Sequence, residues 1–155
     1  MKLEKIRFFP ILNTQVVGYK NTVVVGVGGN EGEVKRRFVK LYRTLLNDKR
    51  FGIMETSPIF KNPPFGYLEQ PDFYNAVMVL KTSLGAKETL KILLHVEHIF
   101  GRKRIFKNGP RTLDLDIIFF NNQTIKQKDL IIPHPKWEER LSVKVPLSEL
   151  KRFKG

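Results

Sequence analysis

The chain has 155 residues, with 28 Lys or Arg against 15 Asp or Glu, so its formal net charge is +13. A chain of this length can bury a core sufficient for one domain, and the lack of cysteine excludes disulfide frameworks, thiol catalysis and thiolate metal sites. No apolar stretch approaches the roughly 20 residues of a membrane span. We therefore expect a single cytoplasmic domain over residues 1–155, with no membrane contact and with an anionic partner.

Six segments have the hydrophobic periodicity of regular elements. In chain order they are a strand at residues 22–27, a helix at 33–48, strands at 51–57 and 75–81, a helix at 86–100 and a strand at 113–120. This βαββαβ order predicts an α+β fold, specifically a ferredoxin-like sandwich. Residues 1–21 form an extension before the core, which we expect to add an edge strand or hairpin.

The remaining segments are rich in turn residues or short. Residues 62–70 (NPPFGYLEQ) predict a loop, and residues 123–132 predict a short edge strand or hairpin. Short helical turns are expected near Trp137 and Leu147. Glycines at residues 26–32 (GVGGNEG) do not match GxGxxG, and no Gly-Lys-Ser/Thr follows them. We interpret them as a tight turn after the first core strand.

Asp114 and Asp116 are the strongest chemical signal in the sequence. Residues two apart in a strand point to the same face, so both carboxylates project side by side, and Ile118 and Phe120 would share that face. One interpretation is a solvated strand face paired to Arg111. The other, which we favour, is a metal site for a polyphosphate, because Mg²⁺ bridging phosphates is held by one or two carboxylates. Basic residues are dense just upstream, at 102–104, 107 and 111.

Residues 109–118 (GPRTLDLDII) resemble the signature of the 6-hydroxymethyl-7,8-dihydropterin pyrophosphokinase family. The segments VGVGGN (25–30), NPPFG (62–66), QPDFYNAV (70–77) and IPHP (132–135) resemble further parts of that family. The resemblance covers about residues 22–150. It implies a ferredoxin-like enzyme of folate biosynthesis that transfers pyrophosphate from ATP to the pterin hydroxymethyl group and releases AMP.

The same resemblance implies roles for individual residues. Two Mg²⁺ ions would be bound by Asp114 and Asp116, which form the catalytic group with Arg102 and Arg111. The residues expected to bind ATP are Leu94, Glu97, Arg104, Ile117, His134 and Arg140. The residues expected to bind the pterin are Asn62, Pro63, Phe65, Phe73 and Asn75.

This sequence departs from the family pattern at four positions, one of which is Asn62, where threonine is often found. Lys107 and Asn108 stand where arginine and tryptophan are usual, and Ser142 stands where a second pterin-stacking phenylalanine is usual. We therefore expect the pterin to stack on Phe73 and to be covered on its other side by Phe65 or Tyr67.

Two other classes of protein were weighed. An RNA-binding module would share the element order and explain the charge, but its characteristic aromatic strand motif is missing. A regulatory domain without catalysis would leave Asp114 and Asp116 unexplained. We expect a monomer whose partners are the small molecules ATP and hydroxymethyl-dihydropterin, and no nucleic acid.

Overall fold

An antiparallel sheet of seven strands forms the core of the computed structural model, which describes residues 2–64, 66–101 and 109–153. The elements are β1 (Lys2–Glu4), β2 (Ile11–Leu12), β3 (Asn21–Gly29), α1 (Val34–Leu46), β4 (Phe51–Thr56), β5 (Ile59–Asn62), β6 (Phe73–Thr82), α2 (Ala86–Ile99), β7 (Asp114–Phe120), β8 (Ile125–Lys126), β9 (Ile131–Ile132) and α3 (Leu141–Ser148). A 3₁₀ turn at Trp137–Glu139 precedes α3.

Strand β3 lies inside the sheet, between β6 and β7. The other edge of β6 pairs with β5 near its start and with β4 near its end. The N-terminal extension adds β1 to β5 and β2 to β4, as predicted. Strands β8 and β9 form a separate hairpin. The α+β class and all six core elements predicted from the sequence are confirmed.

Alternation along the strands divides the core between the two faces of the sheet. Val23, Val25 and Val27 pack on the side covered by α1 and α2, whereas Val24 packs with Val143 of α3 on the other side. The helical spacing predicted for α1 is confirmed, because its buried residues are Val34, Phe38, Leu41, Tyr42 and Leu45. In the described part of the chain, no helix is both long and apolar enough to cross a membrane.

A bulge in β7 changes the face of the sheet on which one residue was expected to lie. Val24 pairs with Phe119 but Val25 pairs with Ile117, so Ile118 is an extra residue in β7. Ile118 and Phe119 therefore both pack on the α3 side, and Phe120 packs on the side of α1 and α2. Our placement of Phe120 on the carboxylate face was wrong because strict alternation does not continue through a bulge.

Candidate active site

A cavity of about 170 Å³ opens on the α3 side of the sheet, where β3, β6 and β7 approach α3. Its polar and aromatic lining includes Asn62, Phe73, Asn75, Arg111, Asp114, Asp116, His134, Arg140 and Ser142. These residues come from five separate stretches of the chain. The structure thus brings together most of the described residues that the sequence predicted for both substrates.

The two strand carboxylates face this cavity in different environments. Asp114 is 24% exposed and its Oδ2 lies 3.3 Å from Nε of Arg111, which is itself only 11% exposed. Asp116 is exposed. The pairing to Arg111 that we weighed as an alternative is therefore present, and Asp116 still faces the open part of the cavity. Two oxygen donors on one strand face are suited to a hard divalent cation that also binds phosphate oxygens.

Hydrogen bonds hold the segment before β7 in place. The Arg111 guanidinium donates from Nη1 to the carbonyl of Gly109 (2.8 Å). Arg37 of α1 donates from Nη1 to the carbonyl of Thr112 (2.7 Å) and to that of Glu31 (2.8 Å). Nothing local in the sequence signals the bond from Arg37 to Thr112, because 75 positions separate the two residues.

The glycines at the end of β3 allow neighbouring segments to approach closely. A Cβ on Gly28 would lie 2.6 Å from Nδ2 of Asn75, and one on Gly29 would lie 2.7 Å from the Thr112 carbonyl. Both residues belong to β3, so our interpretation of this segment as a tight turn was wrong for them. Among the four glycines of residues 26–32, only Gly32, with φ 74°, has a backbone conformation that favours glycine.

One side of the cavity carries amide groups next to an aromatic ring. The Oδ1 atoms of Asn62 and Asn75 are both buried and accept no hydrogen bond in the described part of the protein. Buried acceptors left unsatisfied are costly, so these two atoms are suited to a ligand that presents N–H donors. Phe73 lies beside them and can stack on a flat ring. Pro63 is exposed and does not line the cavity.

A second cavity, of about 380 Å³, adjoins the first along β7. It includes Leu94, Glu97 and Ile117, three of the residues predicted for ATP, and it shares Asp116 and His134 with the first cavity. The hairpin residues Lys128 and Asp129 also line it, and the sequence analysis did not single them out. The predicted nucleotide residues are thus divided between two cavities that meet at Asp116.

Two titratable side chains near this junction are partly or fully buried. Glu97 is 3% exposed, and its Oε2 accepts a hydrogen bond from the Leu115 N–H at 2.6 Å. This contact fixes α2 against β7. Burial lowers the pKa of His134 below its ordinary value, Asp116 opposes the change and Arg140 adds to it. His134 is therefore mostly neutral at pH 7.

Some of the predicted residues cannot be placed in this geometry. Arg102, Arg104 and Phe65, together with the departures at Lys107 and Asn108, lie outside the described residues. Tyr67, the other residue expected to cover the pterin, is 38% exposed and does not line the first cavity. Ser142 does line it, and Phe73 is the only phenylalanine, tyrosine or tryptophan among the described lining residues.

The paired carboxylates, the partly buried arginine and the two adjoining cavities define an α+β protein with a site suited to a metal-bound polyphosphate. Comparison with family models gives a match to 7,8-dihydro-6-hydroxymethylpterin-pyrophosphokinase over residues 24–152. The chain belongs to this family.

Relatives of similar length support the assignment. Proteins named 2-amino-4-hydroxy-6-hydroxymethyldihydropteridine pyrophosphokinase from Campylobacter jejuni and Helicobacter pylori are each 46% identical over 144 residues. The first alignment covers 93% of this chain and 92% of the relative, and the second covers 92% and 88%. The Bacillus subtilis protein of the same name is 35% identical, with 84% and 78% covered. The resemblance seen in the sequence is confirmed, and the RNA-binding alternative receives no support.

Proposed function

We propose that the two adjoining cavities are where this enzyme transfers pyrophosphate from ATP to 6-hydroxymethyl-7,8-dihydropterin. The activity follows from the family: the chain is a pyrophosphokinase of folate biosynthesis that uses ATP as co-substrate. The observation that carries the placement is that Asp116 lines both cavities. A carboxylate at their junction lies where the transferred group must pass between the two substrates.

The products define which bonds change. The hydroxymethyl oxygen attacks the β-phosphorus of ATP, the bond between that phosphorus and the oxygen bridging to the α-phosphorus breaks, and AMP leaves while the hydroxyl proton is lost. In this proposal Asp114 and Asp116 would hold two Mg²⁺ ions, which would neutralise phosphate charge when bound. Arg111 contributes a further positive charge at the same place. Arg102 would act with it as a catalytic residue.

The pterin is proposed to occupy the first cavity. Phe73 would stack on the ring, and the buried Oδ1 atoms of Asn62 and Asn75 would accept hydrogen bonds from its N–H groups. The family resemblance also implies a role for Phe65, whereas Pro63 does not line the cavity. A fused ring with donors along its edge satisfies the two orphaned amide oxygens, which an ordinary apolar ligand would not do.

The nucleotide is proposed to extend from the carboxylates into the second cavity. Its aliphatic lining suits a base, and it includes Leu94 and Ile117. His134 and Arg140 line the first cavity near Asp116 and would contact the phosphate or sugar. Glu97 and Arg104 complete the proposed set of ATP-binding residues.

The fold and domain organisation predicted from the sequence are also part of this proposal. The long strands lie in the order β4, β6, β3, β7, and the core elements follow one another as βαββαβ, which supports a ferredoxin-like core. We propose one catalytic domain over residues 1–155 that acts as a cytoplasmic monomer on small molecules and binds no nucleic acid.

The test is a direct assay of the purified chain with ATP, Mg²⁺ and hydroxymethyl-dihydropterin. We expect one AMP for each diphosphorylated pterin, and no AMP when EDTA replaces Mg²⁺ or when the pterin is omitted. Release of ADP instead of AMP would contradict the proposed attack at the β-phosphorus. An oligonucleotide shift assay on the same preparation tests the expectation that nucleic acid is not bound.

A further inference from the structure

The N-terminal extension has a structural role that the family assignment does not explain. The family match begins at residue 24, whereas β1 and β2 both precede that residue. The extension is part of the core, because Phe9 is completely buried and packs against Phe38 and Tyr42. The effect of this extension on the two cavities follows from the strands and side chains that it contacts.

Strand β1 changes the position of β5 in the sheet. Without β1, β5 would be an edge strand of four residues, but Leu3 pairs with Phe60 on one side of β5 while Asn75 pairs with Phe60 on the other. Edge strands of this length are weakly held. The final residue of β5 is Asn62, whose side chain carries one of the two orphaned amide oxygens. The extension therefore supports a strand that ends in the cavity.

An ion pair connects the same strand to the helix side of the sheet. Glu4 Oε2 lies 2.6 Å from Nζ of Lys35 in α1, and the Glu4 side chain is only 16% exposed. The Lys35 ammonium in turn lies 5.3 Å from the ring centroid of Tyr74, and that of Lys61 lies 5.9 Å from the same ring. These distances are typical of cation–π contacts.

Tyr74 lies in β6 between Phe73 and Asn75, which both line the cavity. Because strand side chains alternate, Tyr74 points to the opposite face, where it packs against the main core. Glu4 thus fixes the cation that lies over the ring directly behind the cavity wall. The β1 pairing and the Glu4–Lys35 ion pair support the same short region from two directions.

We propose that Glu4 is a positioning residue for the pterin cavity, acting through Lys35 and Tyr74 on the β6 wall and through β1 on the end of β5. This inference rests on the proposed function, because it assumes that Asn62, Phe73 and Asn75 contact the pterin. Glu4 itself is on the far side of the sheet and touches no substrate. Replacing Glu4 is therefore expected to weaken the binding of the pterin and to leave the binding of ATP unchanged.

The experiment compares Glu4→Gln, which removes the charge and keeps the shape, with Lys5→Gln, which changes the adjacent exposed residue. For Glu4→Gln we expect the KM for the pterin to rise about threefold to tenfold, with kcat and the KM for ATP within about twofold of the wild type. Lys5→Gln should match the wild type. Point variants are used because deleting the extension would remove Phe9 from the core.

A second pair of variants tests whether the ion pair is the cause. Lys35→Gln should raise the pterin KM to a similar extent, and the double variant Glu4→Gln/Lys35→Gln should be no worse than either single variant, since residues that act as a pair are not additive. If Glu4→Gln does not fold, Lys35→Gln is judged by the same criteria. A folded variant with a normal pterin KM, or an equal rise in both KM values, would overturn the inference.

Asn75→Ala separates this inference from the proposed function. If Asn75→Ala leaves the KM for the pterin unchanged, the pterin has been placed in the wrong cavity and both proposals fall. If Asn75→Ala raises that KM and Glu4→Gln does not, the cavity is correct and only the role of Glu4 is wrong.

Discussion

Asn30 and Arg111 exchange two hydrogen bonds between the end of β3 and the segment that leads into β7. The Arg111 N–H donates to Oδ1 of Asn30 (2.8 Å), and the Asn30 N–H donates to the Arg111 carbonyl (2.9 Å). The side-chain amide of Asn30 also donates to Oε1 of Gln70 (2.8 Å) and to the Pro71 carbonyl (2.9 Å). One buried side chain therefore joins the segment beside the carboxylates to the segment that precedes Phe73.

Asn30→Ala should lower the free energy of unfolding, because it removes this link between the two segments. Asn30 is 4% exposed, and its removal leaves the Arg111 N–H and the Pro71 carbonyl without their partner. We expect a loss of about 2–4 kcal/mol in the free energy of unfolding, measured by urea denaturation. Asn47→Ala, at the exposed end of α1, is the control and should cost much less. A loss no larger than that of Asn47→Ala would show that the two segments are held by other contacts.

Asp116→Asn tests the proposed metal site. The variant keeps the shape of the side chain but removes one of the two charges proposed to hold Mg²⁺, so AMP release should fall by at least about 100-fold. The thermal midpoint should stay close to that of the wild type, because Asp116 is exposed. Glu138→Gln, an exposed carboxylate in the 3₁₀ turn, should leave turnover unchanged. Near-normal turnover by folded Asp116→Asn would remove this residue from the site.

Phe73→Ala and Ser142→Phe test the two walls of the cavity proposed to bind the pterin. An aromatic contact contributes on the order of 1 kcal/mol beyond the area it buries, so Phe73→Ala should weaken pterin binding severalfold to tenfold and affect ATP much less. Ser142→Phe should tighten pterin binding if the opposite wall is open. Calorimetric titration of the pterin, with an ATP analogue present, measures both. If Ser142→Phe blocks the pterin, another side chain already occupies that wall.

Glu4 should make stability dependent on pH in the acid range. The hydrogen bond and charge of Lys35 hold the pKa of the Glu4 carboxyl below its ordinary value of 4.5. The contribution of this group to stability is complete above pH 4.5 and is lost as the pH falls below it, because the unfolded chain takes up the proton first. Thermal midpoints measured from pH 6 to pH 3 should therefore fall less steeply for Glu4→Gln than for the wild type.

The control for that measurement is Glu33→Gln, which changes an exposed carboxylate just before α1. Its midpoints should follow those of the wild type. Parallel curves for the wild type and Glu4→Gln would mean that the ion pair with Lys35 does not contribute to the stability of the folded state.

Glu55 should contribute to the stability of the fold, although it is distant in sequence from Asp114 and Asp116. It is 2% exposed, and its carboxylate accepts hydrogen bonds from the N–H groups of Lys151, Arg152 and Phe153. In Glu55→Gln an amide NH₂ must face some of these donors, so we expect a loss of about 2–4 kcal/mol in the free energy of unfolding. Glu149→Gln, exposed in the same part of the chain, is the control for the urea titration. Equal stability would show that the C-terminal segment is held without this carboxylate.

The sequence was sufficient to predict the core elements because each has a strong local signal. The β-branched residues of β3 and the helical spacing of α1 depend only on near neighbours. Strand β5 was not predicted, and Asn62, its last residue, was expected to begin a loop. A strand of four residues that depends on pairing with β1 and β6 has too little periodicity of its own to be recognised. Local periodicity also could not indicate the bulge at Ile118, which depends on the pairing of β7 with β3.

The site was predicted less completely than the fold. Asp114 and Asp116 could be found because two carboxylates in an apolar strand are unusual, and the family resemblance supplied the other expected roles. Asn30 and Arg37 were missed because their partners lie 81 and 75 positions away along the chain. The glycines of β3 were misinterpreted because close approach and turn geometry both require glycine, and the sequence alone does not distinguish them.

The pairing of β3 with its two neighbours has a consequence for how far apart the substrates can be. Gly28 pairs with Asn75 on one side and with Asp114 on the other. Two adjacent strand spacings place the backbones of Asn75 and Asp114 about 10 Å apart. Backbone hydrogen bonds of the sheet fix this distance, so the separation between the proposed pterin-binding amide of Asn75 and the proposed metal-binding carboxylate of Asp114 is set by the sheet and does not depend on the surrounding loops.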